Sequence, residues 1–380
     1  MADEPGIALY VHIPFCLAKC AYCDFVSYDH LAGLYGEYTN ALVTEMDLAE
    51  PGAIRSIYIG GGTPTVLPLL HFERIFEAIQ RRFAPRTGIE ITVEANPGTV
   101  SPAKLDRLRA LGVTRLSLGV QSFVEKELRL LGRIHSAPHA IDAFQEGREA
   151  GFDNLSLDLI YGLPRQSLGS WRASLQQALA LQPDHLSLYA LTVEEGTPLA
   201  ADIAQGRLPA PDPDLAADMY ELAQETLSAA GFVHYEISNW ARSPEFVSRH
   251  NLIYWHNEPY LGIGAGAHSW RHGRRWSNVT RPEEYIGRVR NGLAPTAAME
   301  TIGPELEMGE TMMLGLRLLG EGVAFARFQA RFGLDLRVQY AGALEELPEL
   351  GLIEITDERV VLSKRGRLLG NQVFLRFLGD

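Results

Sequence analysis

Six apolar, β-branched runs recur through the first two-thirds of the chain: IALYVHI, IRSIYIGGG, IEITVEANP, TRLSLGVQS, NLSLDLIYGLP and HLSLYALT. Amphipathic stretches of helical period lie between them. Strands that are apolar on both faces need cover on both sides, and alternation with helices supplies it in a parallel sheet. A spacing of about thirty residues fits single βα units with right-handed crossovers. Six such units exceed half a Rossmann fold and fall short of a closed eight-unit barrel. The expected fold class is therefore α/β, a partial (β/α)6 TIM-like barrel. Each run ends in a polar or glycine-bearing segment (HIPFC, GGGTP, EANPG, GVQSF, DLIYGLP, LTVEEGT), and these ends are expected to gather at one mouth.

The pattern changes beyond about Gly292, where helical stretches precede two short strands, LIEIT and RVVLS, that turn at Asp357-Glu358. This order predicts a small winged-helix-like α+β domain. The expected division is a barrel over 1–240, a bridging segment over 241–298 and the C-terminal domain over 299–380. Within the barrel, GRLPAPDPD reads as a loop before a helix capped by Asp212 or Asp214. Between Glu300 and Asp380 there are thirteen Asp and Glu against nine Lys and Arg, so the C-terminal domain suits packing rather than DNA. A formal charge of −13 argues against nucleic acid as a partner of the whole chain. The N-terminal MADEPGIALYVHI lacks a basic segment followed by a long apolar one, and no run of ~18 apolar residues follows, so a cytoplasmic location is expected.

The chain has only three cysteines, Cys16, Cys20 and Cys23, all on one short loop after the first strand. Their odd number and crowding exclude a disulfide framework. Three soft thiolates there can reach one metal centre, and with no fourth cysteine one iron of a cubane cluster would be left open. A zinc site of the three thiolates with His12 is the alternative, although the spacing is not that of paired zinc knuckles.

Cys-x3-Cys-x2-Cys after an N-terminal strand, here YVHIPFCLAKCAYCDF, resembles the radical SAM signature. That resemblance implies a [4Fe-4S] cluster held by Cys16, Cys20 and Cys23. It also implies S-adenosylmethionine (SAM) chelated to the open iron and cleaved by one-electron reduction to a 5'-deoxyadenosyl radical. Gly60-Gly61-Gly62-Thr63-Pro64 follows the second strand and resembles the superfamily's GGE-like segment, where backbone without side chains can approach a ligand. Glu94, at the end of IEITVEANP, is a carboxylate placed to bind a cationic amino group or ribose hydroxyls, or to act as a core or capping residue. Tyr10, Tyr22, Gly61, Gly62, Thr63, Gln121, Arg133 and Asp158 resemble positions that contact SAM in the oxygen-independent coproporphyrinogen III oxidase family. For Tyr10 and Tyr22, barrel packing is an equal alternative. Asp158 interrupts an apolar strand, so a partner such as Arg133 or a ligand hydroxyl is expected.

The same resemblance covers an oxidase and a haem chaperone. The oxidases carry a fourth cysteine two residues after the third, where this chain has Phe25, and an extension before the first strand that is not seen here. His250-Asn251-Leu252-Ile253-Tyr254-Trp255 resembles the HNxxYW motif of the HemW haem chaperones. This implies haem as a third cofactor, with His250 as axial ligand and Tyr254 and Trp255 covering a face. His256 and His268 are alternative ligands. Arg271, Arg274 and Arg275 in WRHGRRW are candidates for the propionates or a solvated basic loop. The residues alone also allow His250 and Trp255 simply to anchor the segment. The implied partners are haem-accepting respiratory membrane proteins and an electron donor such as a flavodoxin or ferredoxin, and a homodimer is compatible. No catalytic side chain is assigned. Leu261 to His268 superficially satisfies a dinucleotide fingerprint, but without a clear strand before or helix after it the stretch is read as a close-approach loop near the cofactors.

Overall fold

The computed structural model describes residues 6–378, so the first five residues, part of the basis for expecting no leader, lie outside the described residues. The six runs form β1 (Ile7–Ile13), β2 (Ile54–Gly61), β3 (Glu90–Ala95), β4 (Arg115–Gln121), β5 (Leu155–Tyr161) and β6 (His185–Ala190). They pair in chain order, all parallel. Helices Tyr35–Leu48, Leu69–Phe83, Pro102–Ala110, Ala137–Glu149 and Leu168–Ala180 make the crossovers. β1 is buried on both faces, which is why its sequence is almost unbroken apolar. The partial (β/α)6 barrel is thus present.

The sheet also extends beyond the six parallel strands. β8 (Asn239–Ala241) pairs antiparallel with β6, and β7 (Val233–Glu236) pairs antiparallel with β8 at the sheet edge. On the other side β9 (Tyr260–Ile263) lies parallel to β1, followed by β10 (His268–Arg271), β11 (Arg274–Asn278) and β12 (Thr296–Thr301) in antiparallel succession. The glycine-rich stretch therefore does include a strand, β9. No helix follows it, because β10 begins at His268, and the dinucleotide geometry is absent. Its glycines allow close approaches between backbone segments. A Cβ on Gly264 would stand 2.7 Å from the His12 carbonyl oxygen and from the Tyr38 hydroxyl. The neighbouring Glu45 accepts from Gly264 N at 2.8 Å, Asn278 Nδ2 at 2.7 Å and Tyr285 Oη at 2.5 Å, and so fastens the first helix to this loop. WRHGRRW is the β10–β11 hairpin, not an irregular loop.

Asp212 is the helix cap: its side chain accepts from the backbone N–H groups of Asp214 and Leu215 at the start of helix Pro213–Ala229. A second core, from Met308 to Phe377, belongs to the C-terminal α+β unit. There β13 (Val323–Ala324), β14 (Ile353–Ile355) and β15 (Arg359–Leu362) form a small antiparallel sheet with β15 central. This unit is tied to the barrel side by His256, which bonds Glu321 at 3.0 Å, and by Arg317, whose guanidinium sits 4.4 Å over the Trp255 ring. No helix among the described residues is long and apolar enough to cross a membrane.

Candidate cofactor site at the barrel mouth

The loop after β1 is closed on itself: Tyr28 N donates to Pro14 O at 2.8 Å and Cys16 N to Tyr28 O at 2.9 Å. All three cysteines are partly exposed and line one cavity of about 400 Å³ at the C-terminal ends of the parallel strands. Arg133 Nη1 donates to Cys20 Sγ at 3.2 Å, and Thr63 Oγ1 to Cys16 Sγ at 3.7 Å. Burial pushes the Cys16 and Cys23 thiols up.

Among the described residues no three His, Cys, Asp or Glu side chains are placed to hold a single metal ion. This disfavours the zinc alternative, and so does His12, whose ring nitrogens are bonded to the Tyr10 hydroxyl at 3.0 Å and the Val26 carbonyl at 2.8 Å. Three thiols lining one cavity suit a polynuclear cluster, whose irons are spread apart.

The glycines after β2 are required by this loop. Gly61 has φ +117°, where side chains are strained, and a Cβ on Gly62 would stand 2.9 Å from Cys16 Sγ. Gly61 N donates to Glu94 Oε2 at 3.1 Å, and the Tyr58 hydroxyl to Oε1 at 2.6 Å. Burial, reinforced by Asp158, raises the Glu94 carboxyl to about 7 against the pull of these donors. Gln121 adopts φ +70°, in the left-handed region, at a bulge ending β4, and lines the same cavity.

Asp158 is not partnered by Arg133. It accepts from Ser117 Oγ at 3.1 Å and Ser156 Oγ at 3.4 Å, and burial raises its carboxyl despite the nearby Arg115 guanidinium. Tyr22, Gly61, Gly62, Thr63, Glu94, Gln121, Arg133 and Asp158 all line the cavity; Tyr10 does not. Tyr10 faces an adjoining cavity with Tyr254, Tyr260 and His268, which meets the first at Asp24, Phe25, Gly61 and Glu94.

Sequence reading overlooked Tyr58, Arg115, Ser117, Ser187 and Asn251, which also line the mouth. The available signal was polar residues at inward positions of apolar strands: Asp158 pairs in register with Gly119 on one side and Ser187 on the other.

The structure does not bring His250 to the cavity. Its side chain is buried, with Nδ1 bonded to Ser56 Oγ and Nε2 to the Tyr254 hydroxyl, each at 2.9 Å. Its backbone N–H donates to Glu90 at 2.9 Å, which pins the start of helix Arg249–Trp255 to β3. Ligating iron would require one of the ring bonds to break.

Burial lowers His250 to about 3 and His12, His135 and His234 to about 4, and holds His185 well below its ordinary value. A depressed histidine contributes stability that is full above its unfolded value, near 6.5, and is lost as pH falls towards the folded value. The raised carboxyls of Glu45, Glu94, Asp158 and Glu236 act in the opposite sense from about pH 4.5 upwards, but they are fewer. Unfolding at pH 5.5 should therefore take up protons, and the melting temperature should drop from pH 7 to pH 5. Calorimetry in buffers of different ionisation enthalpy reads the uptake, and a melting temperature that rises on acidification would contradict this.

Comparison with known proteins agrees with this geometry. Residues 10–178 match the Radical SAM superfamily and residues 304–369 the HemN C-terminal domain. The chain is 40% identical to the heme chaperone HemW of Bacillus subtilis over 376 residues, covering 98% of this chain and 99% of that protein. It is 37% identical to the heme chaperone HemW of Mycobacterium tuberculosis, covering 100% of this chain and 97% of the relative. Coproporphyrinogen III oxidase (HemN) from Escherichia coli, described as a radical SAM enzyme, superposes with a TM-score of 0.86 at 24% identity, over 99% of this chain and 91% of its own. That likeness speaks for the fold.

Proposed function

The chain belongs to the HemW family of radical SAM proteins, and from this we propose that it is a haem chaperone that carries a [4Fe-4S] cluster and SAM. It would work in the cytoplasm and deliver haem to respiratory membrane proteins. Cys16, Cys20 and Cys23 would hold the cluster, with Arg133 and Thr63 bonded to the thiols. Gly61, Gly62, Thr63, Glu94, Gln121 and Asp158 would surround SAM. When bound, these groups supply one-electron reduction chemistry, with a flavodoxin or ferredoxin as the electron source.

The observation that carries the reading against an oxidase is Phe25, which stands where the oxidases carry a fourth cysteine, in a carboxylate-rich mouth. Its lining includes Asp24, Glu94, Asp158 and Glu194 against two cations, Arg115 and Arg133. Arg133 is engaged with Cys20 and the Gly119 carbonyl, and Arg115 with His185. SAM is a net cation and suits a carboxylate-rich cavity. Phe25 stands in the same lining, with its side chain largely exposed, where the oxidases carry a cysteine.

The test is anaerobic reconstitution with iron and sulfide, followed by haem titration and a coproporphyrinogen turnover assay on the same preparation. Stoichiometric haem binding without turnover is expected. Turnover without haem binding would make the chain an oxidase.

A further inference from the structure

A second cavity, of about 550 Å³, lies away from the cluster loop and shares no lining residue with the barrel mouth. It opens between the end of helix Tyr35–Leu48, the turn after helix Pro282–Arg290 and the β10–β11 hairpin. Much of its wall is apolar, from Leu48, Leu261, Trp276, Val289, Leu293 and Met299, and Glu45 and Glu50 also line it. Leu48 is 71% exposed, and Leu293 and Met299 are each 60% exposed, which is a large apolar surface to leave in water.

The hairpin places polar chemistry at the edge of this cavity. Arg271 and Arg274 pair across β10 and β11, and His272-Gly273 is the two-residue turn between them, with φ +53° and +69°. Positive φ at both positions is the type I′ turn, for which Asn-Gly is the favoured pair. Histidine is among the side chains that tolerate positive φ, although asparagine is the preferred residue at this position. The His272 side chain is exposed and makes no hydrogen bond or ion pair among the described residues.

Arg271 lies 3.5 Å from the exposed Glu50, and Arg274 also lines the cavity. Arg275 points elsewhere, to Glu300 at 3.2 Å and Glu310 at 2.6 Å.

A cavity with broad apolar walls, an exposed imidazole at its edge and two guanidinium groups, of which Arg271 is already paired with Glu50, suits an amphipathic, anionic, metal-bearing plate. We propose that this cavity, rather than the segment around His250, seats haem. His272 supplies the axial imidazole, Trp276 and the leucines cover the macrocycle, and Arg271 and Arg274 meet the propionates. The inference rests on the haem-chaperone reading and gives that function a site.

The test is haem titration of the full chain, followed by visible absorption, for wild type, His272→Asn and Arg274→Glu. Asparagine gives the turn its preferred residue, so His272→Asn should fold at least as well while lacking the imidazole, and its melting curve checks this. Loss of the imidazole-ligated spectrum in His272→Asn is expected, with affinity down at least about ten-fold in each variant. If wild type binds haem and His272→Asn shows the same spectrum and affinity, the proposed seat is wrong and the chaperone reading stands. If wild type binds no haem at all, the chaperone reading falls and the seat falls with it.

Discussion

Cys20→Ala should lose essentially all iron and sulfide after anaerobic reconstitution, where wild type retains about four of each per chain. Two thiolates cannot hold three corners of a cubane, and no other cysteine exists to replace the missing one. The substitution also removes the sulfur to which Arg133 Nη1 donates, leaving the guanidinium with the Gly119 carbonyl and the Tyr22 side chain. Fold stability should change little, because Cys20 is only partly buried and its loop is held by backbone bonds, Ala21 N to Leu131 O at 3.0 Å and Leu199 N to Ala21 O at 2.9 Å. Haem binding should survive, because the proposed haem cavity shares no residue with the cluster loop. Iron and sulfide analysis beside haem titration reads all of this. Full iron retention in Cys20→Ala would remove the cysteine loop as the cluster site, and haem lost together with the cluster would argue for one joint site.

His250→Ala should cost about 2–4 kcal/mol of stability, seen as a melting temperature lower by several degrees. The ring fills a wholly enclosed space against Tyr58, with ring centroids 5.1 Å apart, and its loss strands the Ser56 and Tyr254 hydroxyls inside the barrel wall. A ligand histidine would behave in the opposite way, with its removal changing the haem spectrum and leaving the fold nearly untouched. His250→Ala protein that remains folded should bind haem with an unaltered spectrum. Thermal unfolding together with haem titration of the same sample separates the two behaviours.

Much of the fold could be read along the chain because strand, turn and crossover are local properties. A run such as IALYVHI, buried on both faces, announces a central parallel strand whatever lies beside it. The antiparallel additions were harder. β7 and β8 contain only four and three residues, and β9 is interrupted by Gly262, so none carries enough periodicity to be seen.

At the site, the three cysteines and Gly61-Gly62-Thr63 were legible because they are packed into short motifs with fixed spacing. Tyr58, Ser117 and Ser187 were not, because each is a single polar residue whose direction depends on strand register.

The sequence by itself determined the barrel units, the cysteine loop and the supply of titratable groups, since these follow from neighbours a few bonds or one helical turn apart. Tertiary structure decided the partners. Arg133 went to Cys20 and left Asp158 to its serines. His250 became a buried brace between Ser56 and Tyr254, and His272 was left unengaged at a cavity edge. The physical reason is that a hydrogen bond or a desolvation penalty depends on whichever groups the fold brings within about 3 Å. For these side chains several of those groups lie more than a hundred residues away along the chain.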